Sequence, residues 1–360
     1  MTLLYRPDLE EVIDRHRAWW SRGKTDRPLV FVDESDVGVR TSAHQAAFWR
    51  DPDGFAADFE ARLARRVGIP DDRIPILRPP FSHAALPGIL GADVREVSGA
   101  LWAAPFARTP ADVLALSFDP ERPFARQFRA YYERLLDLAA GRFVVAVYET
   151  PGPVSFAGSL LGTEEFILLC ADDPELALAV CRKAADLAVR FCRWTNGIVS
   201  ARQESFGGVF LSTVWAPGDA FFWSDHSALH LSPALLSKVL LPAGADLHES
   251  FERSFFFCYP GEGPHVFPAL WRILPKLQGI HDCQGDSPDP AGGAPPAPGA
   301  DSRRDRVESF YRAFAGQKSF LVKCPSARIP RFREILGDAG LGIWTFAEGP
   351  EAAKRLIDSL

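Results

Sequence analysis

The residues of this chain best equipped for chemistry are a carboxylate, two histidines and a set of thiols that fall at or just past the ends of apolar runs. Glu149 closes the run Phe143 to Glu149. A carboxylate at the end of a buried strand is where α/β enzymes carry acid–base groups, so Glu149 is the first candidate for general acid or base. The competing reading is a solvated or helix-capping carboxylate. Cys258, Cys283 and Cys324 end three successive runs, and His281 stands two residues before Cys283. Alternation along a strand puts His281 and Cys283 on one face and Asp282 on the other. Three thiolates joined by His281 or His265 form a tetrahedral zinc set. Cysteine is also among the most buried residue types, so the same thiols equally serve as small core residues.

The elements that must position these groups are legible as alternation. Pro7 to Ser21 carries Leu9, Val12, Ile13, Ala18 and Trp19 near helical spacing and predicts an N-terminal helix, the core of an extension over residues 1–25. Strand-like runs follow at Pro28 to Asp33, Arg73 to Leu77, Phe143 to Glu149, Gly207 to Val214, Ser254 to Cys258, Gly279 to Cys283, Ser319 to Lys323 and Gly342 to Phe346. Most are separated by helix-length segments, such as Pro174 to Arg193 and Ala327 to Asp338. Strand and helix in alternation predict parallel strands with helical crossovers, and about eight of them predict a (β/α)8 TIM barrel rather than an open sheet. Asp286 to Asp305, rich in proline and glycine, predicts a long loop at the C-terminal mouth, either a lid or a tolerated insertion. Cys170, Cys181 and Cys192 recur every eleven residues among apolar neighbours and read as helix packing.

Composition limits the partners. The chain has 360 residues, 47% of them apolar and 24% charged, enough for one large folded domain spanning 1–360. A net charge of −6 leaves no basic footprint for nucleic acid. No stretch of ~18 uninterrupted apolar residues offers a membrane span, and the first residues lack the pattern of a signal peptide, which together predict a cytoplasmic protein with reduced thiols.

Several segments, in order, carry a resemblance. Asp26-Arg27-Pro28 enters the first strand, Pro80-Phe81-Ser82-His83 precedes Leu90-Gly91, Pro151-Gly-Pro-Val-Ser-Phe-Ala-Gly-Ser-Leu-Leu-Gly162 follows the run ending at Glu149, and Leu231-Ser232-Pro233 precedes Leu241-Pro242. This succession resembles the uroporphyrinogen decarboxylase superfamily, and the resemblance implies a (β/α)8 barrel with its site at the C-terminal mouth and pairing as a homodimer. Against that pattern the aspartate that holds the pyrroles falls at His83, the tyrosine near the substrate acetate at Ser159, and the arginine-rich segment after strand one at Asp33-Glu34-Ser35. The histidine-glycine pair near the C-terminus falls around Lys323-Cys324-Pro325. A carboxylate-rich tetrapyrrole needs cations for its side chains and a carboxylate for its pyrroles, so uroporphyrinogen itself is not the expected substrate.

The same superfamily includes corrinoid-linked, zinc-dependent methyltransferases, whose pattern is a histidine two residues before a cysteine on strand six and a further cysteine after strand eight. Cys258 matches the strand-six cysteine, with Phe256 at the histidine position, and Cys324 falls a few residues before the later family position, Ala327. Three readings follow. The first is a decarboxylase-like lyase or related enzyme acting on a tetrapyrrole-like or small organic ligand. It uses Glu149 and His83, with Asp33, Ser159, Trp215, Asp225 and Tyr259 around the ligand. The second is a zinc-thiolate methyltransferase using Cys258, Cys283, Cys324 and His281. The third is a barrel that binds a ligand without catalysis.

Overall fold

In the computed structural model, residues 2–34, 47–97, 100–258, 276–282 and 308–360 are described, except for the side chains of Glu34, Ser82, Cys258 and Asp282. The strands follow in the order β1 (Leu29–Glu34), β2 (Ile76–Leu77), β3 (Val94–Val97), β4 (Ala100–Ala103), β5 (Val144–Val145), β6 (Glu149–Pro151) and β7 (Gly208–Leu211). They continue with β8 (Val214–Pro217), β9 (Ala220–Ser224), β10 (Arg253–Cys258), β11 (Leu277–Asp282), β12 (Ser319–Lys323) and β13 (Leu341–Ala347). Seven of them form one sheet in the order β1-β13-β12-β11-β10-β9-β6, and every neighbouring pair is parallel. Parallel neighbours require crossovers, and helices supply them, among them Pro52–Arg65, Pro174–Gln203, Leu241–Glu249 and Ile329–Leu336. This is an α/β fold with a parallel sheet, as the alternation predicts.

A second parallel pair joins β2 to β5, with Ile76 opposite Val144. The chain then runs from β5 through Val147, which bridges Leu211, into β6. A single stretch therefore pairs with β2 at its start and with β9 at its end. At the far edge of the sheet, the amides of β1 are met by the residues just ahead of β2. Val30 N–H donates to Asp72 Oδ2 at 2.7 Å, Val32 N–H to Asp71 Oδ2 at 3.0 Å, and Asp72 N–H to the Val30 carbonyl at 2.7 Å.

The two faces of the sheet differ in partner. Val30 and Val32 pack outward with Ala353 and Ile357 of the helix Gly349–Asp358. The opposite face takes the N-terminal helix Leu9–Ser21, whose Trp19 donates to the Phe320 carbonyl and Trp20 to the Trp215 carbonyl. That approach needs glycine: a Cβ at Gly279 would lie 2.8 Å from Trp20, and one at Gly342 would lie 3.2 Å from Trp19 Nε1. The helix predicted as an extension is thus seated in the core, beside a cluster that includes Ile74, Ile76, Val144 and Phe210.

One predicted strand is not a strand of the seven-stranded sheet. Gly207 to Val214 spans the first arm and turn of the antiparallel hairpin β7–β8, which reverses at Ser212 with φ +36°. The strand of that sheet in this part of the chain is β9, Ala-Phe-Phe-Trp-Ser, which follows the hairpin directly, with no helix between them to set it apart. Cys170, Cys181 and Cys192 are buried in the helical layer as expected, and burial pushes the Cys170 and Cys192 thiols up to about 11 and about 12. Among the described residues no single helix is long and apolar enough to cross a membrane.

Candidate functional site

Alternation along the parallel strands brings one side chain from each C-terminal end to a common face: Asp33, Arg78 just past β2, Glu149, Ser224, Phe257, His281, Lys323 and Trp344. Glu149 is buried, with 7% of its surface exposed. Its Oε2 accepts from Arg78 Nη2 at 2.5 Å and its Oε1 from the Ser224 hydroxyl at 2.9 Å. Burial raises the Glu149 pKa, but Arg78, His83, the Ser224 hydrogen bond and His226 outweigh it and hold the carboxyl below its ordinary value. His83, on the short turn Ser82–Ala84, places Nε2 3.9 Å from Glu149 Oε1 while keeping 45% of its side chain exposed. The protein around it lowers its pKa by desolvation, against the pull of Glu149. Its ring meets His226 edge-on at 6.5 Å, and His226 in turn meets Phe257 at 6.2 Å.

Across the same face His281 is 3% exposed and stacks on Trp344, with ring centroids 5.2 Å apart and planes 22° from parallel. Phe255 stacks on it at 5.9 Å and Phe257 meets it edge-on at 5.1 Å. Neither ring nitrogen of His281 has a hydrogen-bond partner among the described residues. A buried polar group left unpaired costs about 1–3 kcal/mol. Desolvation lowers its pKa to about 3 and keeps it neutral. Trp344 also donates its indole N–H to Asp33 Oδ2 at 2.7 Å, and Arg73 reaches Asp33 Oδ1 at 2.7 Å. Burial opposes the ionised form of Asp33, but Arg73 and the indole outweigh it and lower the pKa. Lys323 Nζ lies 5.6 Å from the Trp344 ring.

A cavity of about 420 Å³ adjoins this face, bounded by Asp33, Arg78 and Trp344 and extending past Phe31, Ile74 and Ile76. Arg6, Arg62, Arg66, Arg73 and Arg78 line it, against Asp33 and Asp71. These arginines come from elements other than the segment after β1, and they pair with the protein's own carboxylates, among them Arg62 with Asp58, Arg66 with Asp71, Arg73 with Asp33 and Arg78 with Glu149.

Of the residues singled out from sequence, Glu149, His83, Asp33 and His281 come together. Asp225 does not join them through its carboxylate: its oxygens accept from the amides of Val154 (3.1 Å) and Ser155 (2.8 Å), capping the helix Pro153–Leu161. The Ser159 hydroxyl donates to the Phe156 carbonyl of its own helix. Trp215 lies at the other end of the strands, where its amide donates to His16 Nδ1 and its indole to the Phe206 carbonyl. Cys324 is a buried core residue whose amide donates to the Trp344 carbonyl. Tyr259, Cys283, His265 and the loop Asp286 to Asp305 lie outside the described residues, as does the Cys258 side chain. Arg78, Ser224 and Trp344 are site residues that the sequence does not single out. Arg78 had a signal, since it stands just past the end of a predicted run.

Taking the parallel strands in chain order as β1, β2, β5–β6, β9, β10 and β11, the sixth is β11, which ends His281-Asp282 and is followed by Cys283. His281 thus lies on the sixth of these strands, and Phe256 and the Cys258 backbone on the fifth. Register agrees: Phe257 pairs with His281 and Cys258 with Asp282, so Cys258 is one step out of phase with the histidine. His281 pairs with Leu321, which puts Lys323 in phase with it and Cys324 out of phase. Among the described residues no group of three His, Cys, Asp or Glu side chains is placed to hold a metal ion.

No protein-family model matches the chain, and no curated protein matches it. Among solved structures it is similar to a methyltransferase from Methanosarcina mazei, with a TM-score of 0.54 and 12% identity over 97% of each chain. At that identity the likeness is one of fold across the whole length.

Proposed function

We propose that the chain is a (β/α)8-barrel enzyme related to the uroporphyrinogen decarboxylase superfamily, and that it transfers a methyl group to or from a small organic ligand at the mouth. The observation that carries the reading is buried His281, with both ring nitrogens unpaired among the described residues, at the head of a His-x-Cys pair on the sixth parallel strand. His281 and Cys283 fit the start of a zinc donor set. Zinc held by His281 and Cys283 would lower the pKa of a thiol ligand and so supply a thiolate nucleophile at neutral pH. The likeness in fold to a methyltransferase supports the same reading. Barrel closure is supported by the carboxylates of Asp71 and Asp72, which bridge the β1 edge to β2. The chain's own groups do the rest. Glu149, held ionised by Arg78, accepts hydrogen bonds or a proton from the ligand, and neutral His83 beside it relays that proton to solvent.

The test is zinc quantification on the purified protein, with methyl transfer followed by mass spectrometry on a small-metabolite extract. About one zinc per chain, lost in both His281→Ala and Cys283→Ser, is expected. A metal-free protein that releases carbon dioxide from its ligand instead points to the second reading, acid–base lyase chemistry. That reading is favoured by the 3.9 Å approach of His83 to Glu149. A metal-free protein whose Glu149→Gln variant keeps full biological activity points to a barrel that only binds.

A further inference from the structure

The charges around the cavity along β2 cancel. Arg6, Arg62, Arg66, Arg73 and Arg78 line it. Each has a carboxylate of the protein beside it: Arg6 has Asp8, Arg62 has Asp58, Arg66 has Asp71, Arg73 has Asp33 and Arg78 has Glu149. A charged ligand would therefore lose its hydration in this space and find no counter-ion there. An uncharged one meets surface that suits it. Tyr5, Phe59, Leu63, Ile76 and Trp344 are part of the wall. The guanidinium groups of Arg62 and Arg73 lie over the rings of Phe59 and Trp344, 5.3 Å and 5.1 Å from their centroids, so even the cations add flat surface.

One polar group in the wall is held under strain. Ser212, at the turn of the hairpin β7–β8, lines the cavity and is only partly buried. Its φ of +36° is left-handed, a conformation that glycine adopts freely and a residue with a Cβ adopts at a cost. What serine adds over glycine is a hydroxyl, and this hydroxyl has no hydrogen-bond partner among the described residues. Strained backbone that presents an unpaired polar group to a cavity marks a contact for a ligand. The volume sets the ligand's scale: about 420 Å³ is roughly three times the ~150 Å³ apolar cavity that takes up benzene, and it falls within the ~300–1,000 Å³ range of small-molecule pockets.

We propose that this cavity binds an uncharged, flat molecule of bicyclic size, whose oxygen meets the Ser212 hydroxyl and whose apolar body lies against Phe59, Leu63 and Ile76. Arg78 and Trp344 bound both the cavity and the face that carries Glu149 and His281. The assignment of this ligand as the substrate, though not the binding itself, rests on the function proposed above.

2-Naphthol is a suitable probe at neutral pH, with naphthalene as the control that lacks the oxygen and 2-naphthoate as the charged control, each titrated by calorimetry. 2-Naphthol is expected to bind saturably, naphthalene severalfold more weakly and 2-naphthoate about tenfold more weakly or less. Ser212→Ala is expected to weaken 2-naphthol severalfold and leave naphthalene unchanged. Ser212→Gly relaxes the turn, so it is expected to raise the melting temperature while weakening 2-naphthol as Ser212→Ala does. A serine with only a structural role would move stability alone. Asp33→Asn strips Arg73 of its carboxylate and is expected to strengthen 2-naphthoate severalfold. Leu63→Trp, which fills the space, is expected to abolish binding of 2-naphthol and naphthalene alike. His281→Phe is expected to abolish turnover and keep the affinity for 2-naphthol, which separates failure of the proposed reaction from failure of the site. 2-Naphthoate binding as tightly as 2-naphthol, no saturable binding of any of the three, or 2-naphthol affinity unchanged in both Ser212 variants overturns the proposal.

Discussion

Arg78 closes on Glu149 at 2.5 Å while 39% of the arginine side chain remains in solvent and only 6% of the carboxylate side chain does. The pair joins the end of β2 to the start of β6, and the burial is borne almost entirely by the acid. An ionised carboxylate so placed is held there by its partners rather than by water.

Arg78→Met removes the largest influence that lowers the Glu149 pKa and leaves burial, which raises it. In the wild type the lowered pKa contributes stability that is fully present above the ordinary carboxyl value of 4.5 and is lost as pH falls through the folded value. In the variant the folded pKa rises, so this contribution shrinks and stability gains less as pH rises from acid to neutral. A loss on the order of 1–3 kcal/mol at neutral pH is expected. Urea midpoints measured from acid to neutral pH for wild type, Arg78→Met and Arg78→Met/Glu149→Gln check it, and the double variant should recover most of the loss.

The β1 edge gives a test of closure. Asp72 is buried, takes Arg15 and Arg27 as partners and accepts the Val30 amide. Burial opposes its ionisation, but Arg27, Arg15 and the Val30 amide outweigh it and lower the pKa. Asp72→Ala strands two arginines and frees an amide, with an expected cost of about 3–5 kcal/mol. If the seam is closed through these carboxylates, hydrogen exchange at Val30 and Val32 is slow in the wild type and fast in Asp71→Ala/Asp72→Ala. Exchange already fast in the wild type marks an open sheet.

Asp225 behaves in the opposite sense to Glu149. Burial, its largest influence, raises its pKa to about 6 despite the amides it accepts. The native state therefore holds a proton that the unfolded state releases near its ordinary value of 3.8, and stability declines as pH rises from about 4 to about 6. Asp225→Asn keeps one acceptor for the helix cap and is expected to flatten that decline. Asp225→Ala, which removes the cap, is expected to cost about 1–2 kcal/mol at any pH. Thermal melts across this interval distinguish them.

The parts of the fold that sequence made legible are those where one run does one job. Ser319–Lys323 and the core of Leu341–Ala347 are buried on both faces and read as strands for that reason. The hairpin β7–β8 misled because its apolar run belongs to two antiparallel arms, and the turn at Ser212 carries no glycine to announce a positive φ. Glu149 was found because it ends a run. Trp344 was passed over because an indole inside a strand reads as packing, and only the register with β12 and the contact to Asp33 show it at the site. Asp225 misled through its neighbourhood: one residue past β9 it looks like a mouth residue, but the amides of the helix after β6 take its oxygens first.

His281 separates a structural role from a functional one most directly. If its imidazole were only a piece of the aromatic stack with Phe255 and Trp344, His281→Phe would keep the stacking area, remove two unpaired buried nitrogens and leave function unchanged. Replacing an unsatisfied buried polar group by an apolar ring of similar shape is neutral or stabilising. The variant is therefore expected to fold with a melting temperature equal to or above that of the metal-free wild type. At the same time it is expected to lose zinc and methyl transfer. Zinc should raise the melting temperature of the wild type, because metal bound only by the folded state adds to its stability, and a chelator should reverse the rise. His281→Phe should show no response to either addition. A variant that melts several degrees lower would mean that the imidazole is satisfied in the native protein by groups outside the described residues, and that its role is to hold the fold.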